Sequence, residues 1–199
     1  MKKILLLSAV TFFILSSCSI YNTITNFSKL KFKLDSVNDY KIADISVSEK
    51  SQLKDFNAFE IIKLSGEFAA GRLPVSFKLN VEVKNPNKAE SGGGVDITLK
   101  EFPWTLYIDN NETISGSIGS PVVIPGGIKT EIIPLEIRLD LMQFFSNKNF
   151  DSILNLALKL SGGESSASSI KLVASPKLGT PIGDMQYPEP LTIVNHTFN

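Results

Sequence analysis

Val75-Ser76-Phe77-Lys78-Leu79-Asn80-Val81-Glu82-Val83-Lys84, closed by Asn85-Pro86-Asn87, is the stretch that decides the fold. Every second residue is apolar, and the residues between are polar. Period-two alternation of this length places one face of an extended strand against a core and the other in water. Asn-Pro-Asn ends it. Pro86 lacks a backbone donor and pushes Asn85 toward an extended conformation, while Asn87 tolerates a left-handed turn. Ser91-Gly92-Gly93-Gly94 follows as a loop.

The same grammar extends in both directions. Upstream, Leu30, Phe32 and Leu34 alternate with Lys29, Lys31 and Lys33, which reads as a strand with a basic outer face. Downstream, Trp104, Leu106 and Ile108 share one face and Thr105, Tyr107 and Asp109 the other. Asp109-Asn110-Asn111 predicts a hairpin turn. Ile114, Gly116 and Ile118 form the next alternating set. Pro121 and Pro125-Gly126-Gly127 bound a short strand. Ile133, Leu135, Ile137 and Leu139 define another, and the opposite parity of Ile128 and Ile132 predicts a bulge or bend near Pro134.

Two segments carry helical spacing instead. Apolar residues at 150, 153, 154, 157 and 160 lie on one helical face, ended by Gly162-Gly163, and Asp140 with Gln143 resembles a capping box before it. Leu53 to Ala70 predicts a second helix with Ile61, Leu64 and Phe68 aligned, weakened by Gly66. Phe144, Phe145 and Phe150 are expected to close the core beneath the later helix. A serine-rich loop at 161–169 leads to strands around 170–174 and 191–194. Many short strands separated by turn signals point to a β-sandwich or barrel.

The N-terminus has a different character. Lys2 and Lys3 precede an apolar run from Ile4 to Leu15, and Leu15-Ser16-Ser17-Cys18 follows. The run is too short to cross about 30 Å of hydrocarbon and reads as a secretion signal. Leu-small-small-Cys resembles the lipobox of bacterial lipoproteins, which implies cleavage before Cys18 and lipid on its thiol. The expected organisation is a signal peptide at 1–17, a lipidated cysteine and tether at 18–29, and one domain at 30–199. Ser19 after the cysteine suits the outer membrane, and the tether lacks an acidic surface-export run, so the periplasmic face is expected. Each buried methylene of an acyl chain stabilises attachment by about 0.8 kcal/mol, so two or three chains hold firmly.

Composition narrows the function. Cys18 is the only cysteine and His196 the only histidine. One thiol cannot form an internal disulfide, and a multi-ligand zinc site has too few donors. Without Lys2 and Lys3 the chain carries 18 basic against 20 acidic residues, a balance of −2. No basic stripe suited to nucleic acid is visible. Lys29, Lys31 and Lys33 form the densest basic cluster, either a strand's solvated face or a patch near anionic headgroups.

Leu79 to Asn87, followed by the Trp104–Ile108 strand, the Ser/Gly strand at Ile114–Ser117 and Ile124-Pro125-Gly126-Gly127, resembles the LEA14-like or WHy (water stress and hypersensitive response) domain. The resemblance covers about residues 73–140. It implies a mainly β, immunoglobulin-like or fibronectin-III-like sandwich of about seven strands with one or two helices. It brings stress and desiccation tolerance as a setting, and no catalytic residues. Asn85, Pro86 and Asn87 then serve as a structural turn, with side-chain amides satisfying backbone groups.

No catalytic constellation is expected. His196 lies near the chain end, where a triad base is rarely held. Asp35, Asp39 and Asp44 do not match a calcium loop. Glu60 with Glu67, and Asp109 with Glu112, read as solvated pairs. Gly92-Gly93-Gly94 lacks the Lys-Ser/Thr of a phosphate loop. No cofactor is implied. Two functions are consistent with this: a non-enzymatic, lipid-anchored stress-protective or scaffolding protein that meets envelope proteins or lipid, or a carrier of small apolar ligands or lipid. The carrier requires an apolar slot of about 300 Å³ or more, expected between the 150–160 helix and the sheet.

Overall fold

The computed structural model describes residues 30–47, 49–87, 95–127, 130–161, 170–180 and 183–193. The leader, Cys18, Gly92–Gly94, the serine-rich loop beyond Ser161 and His196 lie outside them. The described chain is mainly β. Its strands are β1 (Lys31–Ile42), β2 (Ile45–Ser46), β3 (Pro74–Lys84), β4 (Ile97–Glu101), β5 (Trp104–Ile108), β6 (Asn111–Gly116), β7 (Val122–Ile124), β8 (Thr130–Asp140), β9 (Ile170–Ala174), β10 (Lys177–Thr180), β11 (Gly183–Gln186) and β12 (Leu191–Ile193). The helices are α1 (Ala58–Ala69), α2 (Leu141–Phe145) and α3 (Phe150–Leu160).

The strands form three four-stranded antiparallel sheets, ordered β2-β1-β3-β8, β11-β10-β4-β7 and β12-β9-β5-β6. The decisive stretch is β3, at the centre of the first. Val75, Phe77, Leu79, Val81 and Val83 are all buried, as their alternation requires. β1 pairs along one side of β3, with register shifts after Leu34 and Asn38, and Lys31 stands opposite Lys84. Lys33 forms an ion pair with Glu82, so this lysine belongs to the polar face of the sheet.

Of the bulge or bend predicted near Pro134, the bulge does not occur. β8 pairs with β3 over all eleven residues without a shift, and Pro134 stands opposite Asn80. β8 is the outer strand, so a proline whose missing donor faces outward removes no ladder bond. Ile132 simply lies on the outer face, and Ile133, Leu135, Ile137 and Leu139 are buried.

The second and third sheets run in line. The stretches 97–108, 111–124, 170–180 and 183–193 each pass from one to the other, in the same lateral order. Each breaks near a proline: Pro103, Pro121, Pro176, and the pair Pro188 and Pro190. Proline cannot donate to a ladder, so five prolines at four neighbouring breaks crease what would otherwise be one four-stranded sheet. Bonds across the crease hold its geometry. Ser175 N donates to Pro103 O at 2.9 Å, and Tyr187 N to Pro176 O at 2.8 Å. Twelve strands therefore lie on seven long stretches of chain and the two-residue β2.

The inward faces of the sheets share one core, where Phe32 and Phe102 stack with ring centroids 5.7 Å apart. The hairpin at Asp109-Asn110 has φ of 48° and 62°, the positive pair that a type I′ turn needs. The helices gather where β3 begins and β8 ends. α1 starts at Ala58 rather than Leu53, because Asn57 caps it: Asn57 Oδ1 accepts from Glu60 N at 3.0 Å, and Glu60 returns to Asn57 N at 2.9 Å. Residues Leu53–Asp55 form a separate 3₁₀ turn. Leu64 is buried, and Ile61 and Phe68 are partly so. The capping box expected from Asp140 and Gln143 is different in form. Asp140 Oδ1 accepts from Met142 N at 3.0 Å and from Leu73 N at 2.7 Å, so it ties α2 to the start of β3. Phe145 is buried, and Phe150 meets Phe68 edge-on at 5.3 Å.

Candidate functional site

Two places interrupt the strands and hold polar groups against the core. The first is the Asn-Pro-Asn end of β3. Asn85 is 0% exposed. Its Nδ2 donates to Val95 O at 2.8 Å and Ile124 O at 3.1 Å. Its Oδ1 accepts from Asn87 N at 3.2 Å and Asn87 Nδ2 at 2.7 Å. A side-chain amide offers two donors and an acceptor with two lone pairs, and all are engaged. Its backbone O accepts from Gly127 N at 2.9 Å, and Asn85 pairs with Gly126 in a parallel bridge. A Cβ on Gly126 would lie 2.2 Å from Val95 N, so only glycine allows this approach. Asn85 thereby joins the end of β3, the approach to β4 and the end of β7. Asn87 is buried beside it and Pro86 is half-buried.

The second place is the crease. A half-open cleft of about 320 Å³ lies between β8 and the turn linking β6 to β7. Ile133 and Leu135 line one wall. Trp104, Ile118 and Val122 line the other, with Ser117, Ser120 and Glu136 as polar members. Trp104 is 6% exposed, and its Nε1–H, closed off from solvent, has no hydrogen-bond partner among the described residues. It stands opposite Gly116, where a Cβ would come 2.5 Å from the indole Cζ2. Glycine therefore leaves room for the indole plane. Ser117 is committed to the scaffold, because its Oγ accepts from Phe102 N at 3.2 Å.

A carrier would need its slot between the 150–160 helix and the sheet. The inner face of α3 is filled by Ile153, Leu154, Leu156, Ala157 and Leu160, all buried in the core. Alternation placed Trp104 inside, but its unpaired N–H leaves no trace in the sequence. The one available signal is that the chain's single tryptophan meets a glycine across the hairpin.

The carboxylates have other partners. Glu60 accepts from Asn57 N and pairs with Lys50 at 3.1 Å, and these contacts hold its carboxyl below the usual range. Glu67 pairs with Arg72 at 3.0 Å, and Glu112 accepts from Tyr107 Oη at 3.0 Å. Asp39 bonds Lys78 at 2.8 Å, which raises the lysine above its ordinary value. Among the described residues, no group of three or more His, Cys, Asp or Glu is placed to hold a metal, and no helix is long and apolar enough to cross a membrane.

No protein-family model and no curated protein matches the chain. Solved structures similar to it include the solution structure of a protein provisionally designated late embryogenesis abundant (LEA). That match has 13% identity and a TM-score of 0.40, covering 96% of this chain and 86% of the other. An X-ray structure of a Northeast Structural Genomics Consortium target matches at 8% identity and TM-score 0.38, covering 83% and 86%. A crystal structure of a protein from Archaeoglobus fulgidus matches at 11% identity and TM-score 0.34, covering 83% and 99%.

Proposed function

We propose that this chain is a non-enzymatic envelope protein, anchored by lipid on Cys18 to the periplasmic face of the outer membrane. Its LEA14/WHy-type domain, an immunoglobulin- or fibronectin-III-like sandwich, holds envelope proteins or lipid near the bilayer in a stress-protective or scaffolding role. The observation that carries this reading is the order Lys2-Lys3, apolar run, Leu15-Ser16-Ser17-Cys18, set about a dozen residues before β1. The chain enters β1 at Lys31, opposite Lys84 and next to Asn85, so the lipid is attached through the Asn-Pro-Asn end. A dozen residues reach at most about 40 Å, which keeps the domain close to the headgroups and raises its effective concentration there.

Radiolabelled palmitate in growing cells tests the anchor. The wild-type protein is expected in the membrane fraction and labelled, with Cys18→Ser unlabelled and soluble. Unlabelled wild-type protein recovered from the medium would overturn the reading. A second reading, a carrier for small apolar ligands, is favoured by one specific observation: the Trp104 cleft has the volume that such ligands need.

A further inference from the structure

We infer that α1 is a second membrane contact, whose face carrying Phe59 and Ile62 docks on the lipid surface to which Cys18 ties the chain. The inference rests on the lipid-anchor reading for what brings the bilayer near, whereas the contact itself belongs to α1 and is measurable without Cys18.

The helix has two apolar faces. Ile61, Leu64 and Phe68 turn into the core. Phe59, Ile62, Gly66 and Ala69, spaced i, i+3, i+7 and i+10, share a second face that is exposed. Phe59 is 86% exposed and Ile62 70%, the highest values among the described large apolar side chains. A Cβ on Gly66 would meet nothing within 4 Å, so no described part of the chain covers the stripe there. A single exposed apolar residue needs no explanation. Two on adjacent turns of a helix that has already buried its other face do.

Size decides what covers this face. The twelve-residue helix is about 18 Å long, and a stripe about 10 Å wide gives a footprint of roughly 180 Å². A stable protein interface takes about 800 Å² from each partner, so a second copy docked on α1 alone falls well short. A bilayer needs no matched area. It takes an apolar helix face into the headgroup boundary, and a tethered domain already sits at a millimolar effective concentration, where weak affinity suffices.

The chain ahead of β1 permits the contact. The helical end and the Asn-Pro-Asn end are separated by the eleven residues of β3, about 36 Å. The dozen residues between Cys18 and β1 reach at most about 40 Å, so they let the domain lie along the bilayer rather than hold it upright. The charges suit the same surface. Lys63 follows Phe59 one turn on, and its ion pair with Asp44 is long, 3.9 Å, and exposed, so the ammonium is free to turn to a headgroup phosphate. Glu60 and Glu67 stand farther round the helix, engaged by Lys50 and Arg72.

Phe59→Trp in a Trp104→Phe background puts the chain's single indole on this face. Vesicles of phosphatidylethanolamine and phosphatidylglycerol with brominated acyl chains should blue-shift and quench that indole in the soluble Cys18→Ser protein, half-way at about millimolar lipid. Adding Ile62→Asp should raise the lipid required about tenfold while circular dichroism stays that of a folded protein. With Cys18 intact and lipidated, the protein should float with the vesicles and be quenched, and Ile62→Asp should relieve the quenching without releasing it. A protein that floats but keeps an unquenched indole would overturn the inference and leave the anchor standing. A Cys18→Ser protein that no lipid quenches would overturn it equally, as would an unquenched dimer that Ile62→Asp dissociates, which assigns the face to a second copy. Quenching of the Cys18→Ser protein beside a wild type that does not float would remove the anchor and uphold the contact.

Discussion

Asn85 and Trp104 are both buried where a strand is interrupted, and they differ in one respect. Asn85 makes four side-chain hydrogen bonds and joins three segments of chain. Trp104 makes none with the described residues; its ring lines a cleft, while its Nε1 is closed off within the packing. The difference separates two kinds of interruption. A break whose polar groups are all satisfied within the protein is architecture. A break that leaves a buried donor idle holds its residue by shape rather than by hydrogen bonds.

The comparison breaks most readily at Asn85. Asn85→Ala removes both donors from Val95 O and Ile124 O and leaves those carbonyls without that partner. The expected loss is about 3–5 kcal/mol, read from urea denaturation. A loss below about 1 kcal/mol would remove Asn85 from its place as the tie. Gly126→Ala comes next, because the new Cβ meets the Val95 backbone at 2.2 Å, and backbone cannot step aside. It should cost about 2 kcal/mol. Gly116→Ala should cost less, since the atom it meets belongs to an indole with open space next to it, and it should shift Trp104 fluorescence.

Trp104→Phe sharpens the contrast from the other side. It deletes ring volume but no hydrogen bond, so about 1 kcal/mol is expected, well under the Asn85 value. Tyr40 supplies a control. Its hydroxyl is also buried without a partner among the described residues, but Tyr40 does not line the cleft, and it stacks on Phe77 at 5.1 Å. Burial pushes its ionisation well above the ordinary value. The unfolded chain therefore releases this proton near pH 10 while the fold retains it. Stability is intact below pH 10 and falls above it, by up to about 1.4 kcal/mol per pH unit. Tyr40→Phe should flatten that fall and raise stability at neutral pH by about 1 kcal/mol, measured by thermal melts across pH 9–11.

Much of this molecule is written locally. β3 was legible because each of its side chains commits to one face, and β5 with its Asp109-Asn110 turn for the same reason. Asn-Pro-Asn marked a strand end, but the reach of Asn85 to Ile124, 39 residues away, follows only from the register. Pro134 misled because the sequence does not state which strand is outermost. The prolines at 103, 121, 176, 188 and 190 are plain to see, yet a crease exists only because pairing brings them side by side. The cleft is less legible still. It needs β8 and the 117–122 turn together, and a donor that no neighbour takes up.

A crystal structure of the full chain tests the contrast most directly. The expected result is Asn85 with its four side-chain bonds in place and Trp104 Nε1 packed without a partner beside Gly116. A cleft closed by the 117–122 turn, with the indole N–H bonded to the protein itself, would contradict it.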